Sequence, residues 1–253
     1  MTARVLVTAG GAGIGQAIAE AFIATGARVA ICDIDLLALQ AMHDEHPDLI
    51  AEQADVSNAD DLDRLFVQLM EKWGGLDVLV NNAGIGGPRA PVEDTDEGEW
   101  RNCVDVNLTG AFMAMRRTIP AMKAQRSRCI INISTSSART GLPGRGAYVA
   151  SKAGLIALSN NTAREVGAWN IRCNAVLPGL IDNARGRALI EKFAHDRDLS
   201  MPDAEETFLS FVSMRTMIQP AEVAALCVFL ASDGARHISG QAIGVDGNME
   251  WEG

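Results

Sequence analysis

Short apolar runs alternate along the chain with longer stretches whose apolar residues recur at helical spacing. Residues 4–8 form a β-branched run that leads into glycines, and 16–25 then read as a helix ended by Gly26. The rhythm repeats. Strands are expected at 28–33, 50–56 and 76–81, with helices at 36–45 and 60–73 between them. Within 60–73, Leu62, Leu65, Phe66, Leu69 and Met70 mark one apolar face. The run at 76–81 lacks polar alternation, as expected of a strand buried on both faces.

The second half keeps the pattern. Residues 100–126 read as one long helical stretch, broken near Val106-Asn107 and again near Pro120. A strand at 129–134 and a helix at 147–167 follow. A strand at 171–177 is stopped by Pro178-Gly179. Residues 183–217 are polar and irregular, with room for two helices. A helix at 220–232 opens on proline, and 241–245 is a last strand. Regular β-α alternation predicts an α/β, Rossmann-type doubly wound parallel sheet of about seven strands, with helices on both faces. With no linker and no internal repeat, 1–253 reads as one domain.

Composition narrows the partners. The chain has 253 residues, 48% of them hydrophobic, and a net charge of −10. That acidity argues against nucleic acid. No apolar run has the length of a membrane helix. The cysteines Cys32, Cys103, Cys129, Cys173 and Cys227 are scattered and form no C-x-x-C pair, which suits reduced thiols in the cytoplasm. His43 and His46 sit close together, but no third ligand stands near them in sequence, so no metal is expected. The smallest count is one tyrosine, Tyr148. Lysines are almost as rare: Lys72, Lys123, Lys152 and Lys192.

The first βα turn is Thr8-Ala9-Gly10-Gly11-Ala12-Gly13-Ile14-Gly15. Glycines here let the backbone approach a pyrophosphate, and a helix N-terminus supplies N–H donors. The candidate contacts are Gly11, Gly13, Ile14 and Gly15. Asp33 ends the second strand, where an acid accepts both hydroxyls of an adenosine ribose and repels a 2′-phosphate. That favours NAD over NADP. Asp55-Val56 ends the third strand at the expected edge of the adenine pocket. Asn82, Ala83 and Gly84 end the fourth, where amides and a glycine line the crevice.

Tyr148-Val149-Ala150-Ser151-Lys152 puts a phenol and an ammonium one helical turn apart. An ammonium beside a phenol stabilises the phenolate, and such a phenol can move a proton to or from a substrate oxygen. The glycine turn, Asn81-Asn82-Ala83-Gly84, Tyr148-x-x-x-Lys152 and Pro178-Gly179 together resemble the short-chain dehydrogenase/reductase family in order and spacing, over essentially the whole chain. The resemblance implies hydride transfer with a nicotinamide cofactor, and a homotetramer. It makes Tyr148 the acid/base and assigns Lys152 to the nicotinamide ribose. It matches Asn107 to an asparagine that holds a relay water. It extends cofactor contacts to Tyr148, Lys152, Pro178, Gly179, Ile181 and Asn183, the last standing where the family has threonine.

Two positions depart from the family. A turn glycine is replaced by Ala9, tolerable if its φ is negative. The serine position falls on Thr135, whose hydroxyl can bond a substrate oxygen although its methyl restricts χ1. Ser134 is the weaker candidate in the same loop.

Arginines flank the three segments expected to meet substrate: Arg89, then Arg139 and Arg145, then Arg185 and Arg187. Of these, Arg89, Arg145 and Arg185 are the candidate substrate contacts. On an acidic chain, they suggest a small anionic substrate, a hydroxy acid, sugar or sugar acid. In family members acting on 3-hydroxy acids, a basic residue at the Arg145 position binds the carboxylate. Residues 183–217 resemble the family's lid, with Leu189, Phe193, Leu199, Phe208 and Phe211 available to exclude water. The rival readings are a 3-oxoacyl-thioester reductase, which usually prefers NADPH, and a non-catalytic NAD-binding regulator.

Overall fold

The computed structural model describes residues 2–126 and 128–249. Seven strands form one sheet: β1 (Arg4–Thr8), β2 (Arg28–Asp33), β3 (Ile50–Gln53), β4 (Val78–Asn81), β5 (Arg128–Ile133), β6 (Ile171–Pro178) and β7 (Ala242–Val245). Their order is β3-β2-β1-β4-β5-β6-β7, and every pairing is parallel. The chain winds outward one way from β1 and the other way from β4. Such a reversal opens a crevice at the carboxyl ends of the two strands.

The helices are α1 (Gly13–Ala24), α2 (Leu36–Glu45), α3 (Ala59–Trp73), α4 (Glu97–Val104), α5 (Gly110–Gln125), α6 (Ser137–Thr140), α7 (Gly146–Val166), α8 (Ala184–Asp196), α9 (Met201–Ser210) and α10 (Pro220–Ala231). Strand side chains alternate between two helical layers. Val5, Val7, Val29, Ile31, Val78 and Val80 pack with Ile18 and Phe22 of α1, Leu39 and Met42 of α2, and Val223 and Leu230 of α10. Leu6, Ala30, Leu79 and Ile130 face Leu62, Phe66 and Leu69 of α3, Met115 and Met122 of α5, and Val166 of α7. Both faces are therefore covered, which is why β4 reads as an unbroken apolar run. No helix of the described residues is long and apolar enough to cross a membrane. All five cysteines are free and buried.

Several boundaries differ from the sequence pattern. β3 ends at Gln53, because its partner β2 has no residue beyond Asp33 to pair with; the expected strand ran to Val56. β4 begins at Val78, although the Asp77 backbone already donates to the Arg4 carbonyl at 2.9 Å. Helix α1 starts at Gly13, inside the glycine turn, rather than at Gln16. Pro120 does not break α5; the carbonyl it leaves unbonded belongs to Arg116, on an exposed turn where water can replace the lost bond. Near Val106-Asn107 the helix widens without ending, as a π-helical turn over Asp105–Thr109.

Ala9 adopts φ +50°, so the condition under which alanine is tolerable there is not met. An alanine Cβ in the left-handed region crowds the following carbonyl. Ala9→Gly should therefore stabilise the protein by about 0.5–1 kcal/mol. A higher urea midpoint is the expected result; an unchanged or lower midpoint would show that the turn carries no strain.

Candidate active site

The crevice begins at the turn after β1. The Thr8 hydroxyl accepts the backbone N–H groups of Asn82 and Ala83, each at 3.0 Å. The Asn82 amide returns the bond, donating to the carbonyls of Thr8 at 3.1 Å and Ala9 at 3.0 Å. Asn82 thus locks the glycine turn to the end of β4, holding the cradle in shape. A side chain on Gly15 would overlap the Ala9 carbonyl oxygen, so the first turn of α1 closes only on glycine. Gly13 takes φ +58°, and Ile14 anchors the same turn against the core layer below.

Asp33 stands beside this turn. One carboxylate oxygen accepts the Gly11 N–H at 3.1 Å, and the other accepts the Asp35 N–H at 3.2 Å. Asp55 accepts the Ser57 N–H at 2.8 Å and the Ser57 hydroxyl at 2.7 Å, shaping the bend after β3. Val56 packs where α5 begins; a Cβ on Gly110 would lie 2.9 Å from it. On the opposite rim, the Pro178 carbonyl accepts the Ser136 N–H and hydroxyl, both at 3.1 Å. Gly179 donates to the Val245 carbonyl at 3.0 Å, and Ile181 bridges to Ile218. Asn183 caps α8 by accepting the Gly186 N–H at 2.8 Å. Its amide nitrogen lies 3.9 Å from where a Gly13 side chain would begin, so α8 starts directly over the turn. A glycine-lined cradle, a helix N-terminus and an acid at the β2 end fit a dinucleotide.

Tyr148 and Lys152 share α7. Lys152 is buried, with 4% of its surface exposed. Its Nζ donates to the Ile133 carbonyl at 2.7 Å. A Cβ on Gly84 would sit 2.9 Å from that Nζ and 3.2 Å from Asn107 Oδ1, so the ammonium and the amide converge behind Gly84. Burial pushes the Lys152 amine down to about 8; the nearby Arg185 acts in the same direction, and Cys103 opposes it.

Asn107 occupies the π-helical turn, a distortion often found at functional sites. Its Oδ1 accepts the Ile85 N–H at 2.7 Å, while Nδ2 donates to the Ile85 carbonyl at 3.0 Å and to the Ser151 hydroxyl at 3.0 Å. Ser151 in turn donates to the Tyr148 carbonyl at 2.9 Å. The loop after β4 is thereby fastened to the helix that carries Tyr148. Ser151 carries no sequence signal beyond its place between Tyr148 and Lys152.

The hydroxyls after β5 separate by their partners. Ser134 donates to the Lys152 carbonyl at 2.8 Å, and Ser136 is committed to Pro178. Thr135 Oγ1 only accepts a long 3.4 Å bond from the Ser137 N–H, leaving its own proton available to a ligand.

The arginines also separate. Arg187 pairs with Asp182 at 2.6 Å, and Arg139 donates to the Ala242 carbonyl. Arg145 lies over the Tyr148 ring, 5.2 Å from its centroid, and donates to the Gly86 carbonyl at 2.7 Å. Burial lowers the proton affinity of its guanidinium, and Arg89 and Arg185 lower it further. A Cβ on Gly86 would be 2.6 Å from Arg145 Nη2 and 3.0 Å from Arg185 Nη2.

Residues 183–217 hold α8 and α9 around a small core of Leu180, Ile190, Ala204, Val212 and Met217. Phe193 meets Phe208 edge-on at 4.9 Å. Away from the crevice, the fold supplies His46 with neighbours the sequence did not suggest. Glu20 and Glu45 bring ligand atoms within 4.8 Å of one another and of the imidazole.

Residues 8–250 match the family model described as Enoyl-(Acyl carrier protein) reductase. The chain is 35% identical over 248 residues to the 3-oxoacyl-(acyl-carrier-protein) reductase FabG of Thermotoga maritima, covering 96% of each chain. It superposes on levodione reductase with a TM-score of 0.90 at 29% identity, covering 97% of this chain and 96% of the other. For a variant of actinorhodin polyketide ketoreductase with NADPH, the TM-score is 0.92 at 27% identity, with the same coverage.

The buried amine generates a pH prediction. Lys152 titrates near 8 in the folded chain against 10.5 as a free side chain. Between those values the unfolded chain binds more protons, so stability from this group rises with pH across that window. Relative to Lys152→Met, the cofactor-free wild type should gain on the order of 3 kcal/mol between pH 8 and 10.5. Urea titrations of both proteins measure it, and a pH-independent difference would contradict the buried charge.

Proposed function

The chain belongs to the short-chain dehydrogenase/reductase family, and we propose that it interconverts a secondary alcohol and a ketone with NAD(H). The observation that carries this reading is the buried Lys152 ammonium on the Ile133 carbonyl, one helical turn from Tyr148 and beside the dinucleotide cradle. NAD supplies the hydride acceptor when bound. Tyr148 takes the hydroxyl proton as the alcohol is oxidised, and returns it in the reverse direction. Thr135 donates its free proton to the same substrate oxygen. Lys152 holds the nicotinamide ribose and places positive charge near the phenol. Asn107, sharing the space behind Gly84 with Lys152, holds the inner end of a water path to solvent.

The preference for NAD follows from Asp33. Its carboxylate ends β2 beside Asp35, and the next side chains are the exposed Ile34, Leu36 and Leu37, none of them a cation. A 2′-phosphate there would face acids only. The cofactor contacts in this reading are Gly11, Gly13, Ile14, Gly15, Asp33, Asp55, Val56, Ala83, Gly84, Pro178, Gly179, Ile181 and Asn183, with Asn82 holding the turn.

The substrate is a small anionic or polyhydroxylated molecule, a hydroxy acid, sugar or sugar acid, because Arg145 stands over Tyr148 with Arg185 and Arg89 close by. Residues 183–217 act as the lid over it. The family's homotetramer belongs to the same reading: Phe112 is exposed on the surface that α5 shares with α7, offering an apolar face to a second copy. So does a cytoplasmic location, which suits five free thiols. The name of the Thermotoga relative favours a second reading, reduction of a 3-oxoacyl thioester.

Tyr148→Phe should lower turnover by about 10²–10⁴-fold and leave NADH affinity within a few-fold. Stopped-flow turnover and NADH fluorescence titration test both halves, and retained turnover would remove Tyr148 from the chemistry. Wild type should use NAD better than NADP, and Asp33→Ala with Ile34→Arg should reverse the order. Efficient reduction of acetoacetyl thioesters with NADPH, and none of small hydroxy acids with NAD, would establish the second reading instead.

A further inference from the structure

Some arginines on this chain find a carboxylate. Arg4 has Asp77, Arg64 has Asp61, Arg101 has Glu97, Arg117 has Asp63 and Arg187 has Asp182. With a net charge of −10, acids are abundant. Arg145, Arg185 and Arg89 nevertheless have no ion pair among the described residues, and they stand at the mouth of the crevice. Arg145 is fixed at the start of α7, and Arg185 projects from the first turn of α8. Their Nη2 atoms reach to within 3.0 Å of one point above Gly86. The one protein acceptor there is the Gly86 carbonyl, and Arg145 Nε is buried with no partner at all.

We infer that this cluster receives a substrate group carrying two negative charges, a phosphate monoester or a pair of carboxylates, bridged between Arg145 and Arg185. The inference rests on the alcohol–ketone reading, which puts the reacting carbon at Tyr148. Two guanidinium groups aimed at one point repel each other until an anion separates them, and one negative charge would neutralise only one of them. Arg89 adds a third positive charge, near enough to act on Arg145. The cofactor phosphates do not answer this demand. They belong at the glycine turn, where Asn183 faces Gly13, whereas Arg185 reaches Gly86. The guanidinium of Arg145 lies 5.2 Å from the Tyr148 ring, so the charged group sits only a few bonds from the reacting carbon. A compact substrate meets that spacing. Because Arg185 rides on α8 and Arg145 on α7, the bridging anion also draws the lid onto the body.

Calorimetry on the NADH-loaded protein tests this with malate, glycerol 3-phosphate and 3-hydroxybutyrate as probes. Both dianions should bind at least about ten-fold more tightly than the monocarboxylate, the worth of one charge-assisted contact. Whichever dianion binds more tightly identifies the source of the charge. Arg185→Gln and Arg145→Gln, with melting temperatures near wild type, should each erase the preference; Arg185→Lys should retain part of it. Equal affinity for all three probes, binding of none, or a preference unchanged in Arg185→Gln would overturn the inference. Tight dianion binding without turnover of any hydroxy compound would leave the clamp standing and remove the alcohol–ketone reading. Turnover of neutral alcohols without any anion preference would do the opposite.

Discussion

A charged amine held out of water organises the site. Lys152 donates a hydrogen bond to one backbone carbonyl, at Ile133, and has almost no solvent of its own. Burying an ammonium this way is costly unless the surroundings are built for it. Those surroundings explain otherwise arbitrary residues. A side chain at position 84 would displace Nζ, which lies 2.9 Å from where its Cβ would stand. Ser134 turns inward to hold the Lys152 backbone, whereas the Thr135 hydroxyl accepts only a long bond from the Ser137 N–H among the described residues. Asn107 shares the space behind Gly84 and clamps Ile85, the next residue of that loop. The anionic partners that would stabilise the amine must come from a ligand, because the neighbour with the strongest charge effect is another cation, Arg185.

The sheet makes such a site possible. Strands buried on both faces fix the positions of their carboxyl ends, and the reversal between β1 and β4 leaves a gap there. Two side chains convert the gap into a rigid cradle. The Thr8 hydroxyl accepts two hydrogen bonds and the Asn82 amide donates two, tying residues 8–9 to residues 82–83. The strained Ala9 and the close approach at Gly15 follow from how tightly that turn is drawn in.

Much of this architecture was legible in the sequence, because parallel strands covered on both faces leave unbroken apolar runs and the helices between them keep their periodicity. Tyr148 and Lys152 were legible for a different reason: both residue types are rare here, and helical spacing alone places them together. What stayed hidden depended on partners distant in the chain. The end of β3 was set by the length of β2. The backbone angle at Ala9 was left open by the sequence and is set by its anchoring to Asn82. Asn82 and Asn107 looked like ligand-facing amides, yet both spend bonds on backbone carbonyls that only the fold brings near. Equally hidden was what holds the two arginines not taken as substrate contacts, Arg187 and Arg139: Asp182 and the Ala242 carbonyl. Of the carboxylates beside His46, Glu45 is its sequence neighbour, but Glu20 comes from another helix and could not be read from spacing.

The account's central claim is that hydride leaves or enters the carbinol carbon while Tyr148 moves the proton. Reduction of a small anionic ketone with NADH carrying deuterium at the transferable position tests it most directly. The predicted result is deuterium on the carbinol carbon of the product, read by mass spectrometry and proton NMR, with the transfer suppressed in Tyr148→Phe. Product formed without deuterium at that carbon, or transfer that proceeds equally without the phenol, would contradict the account.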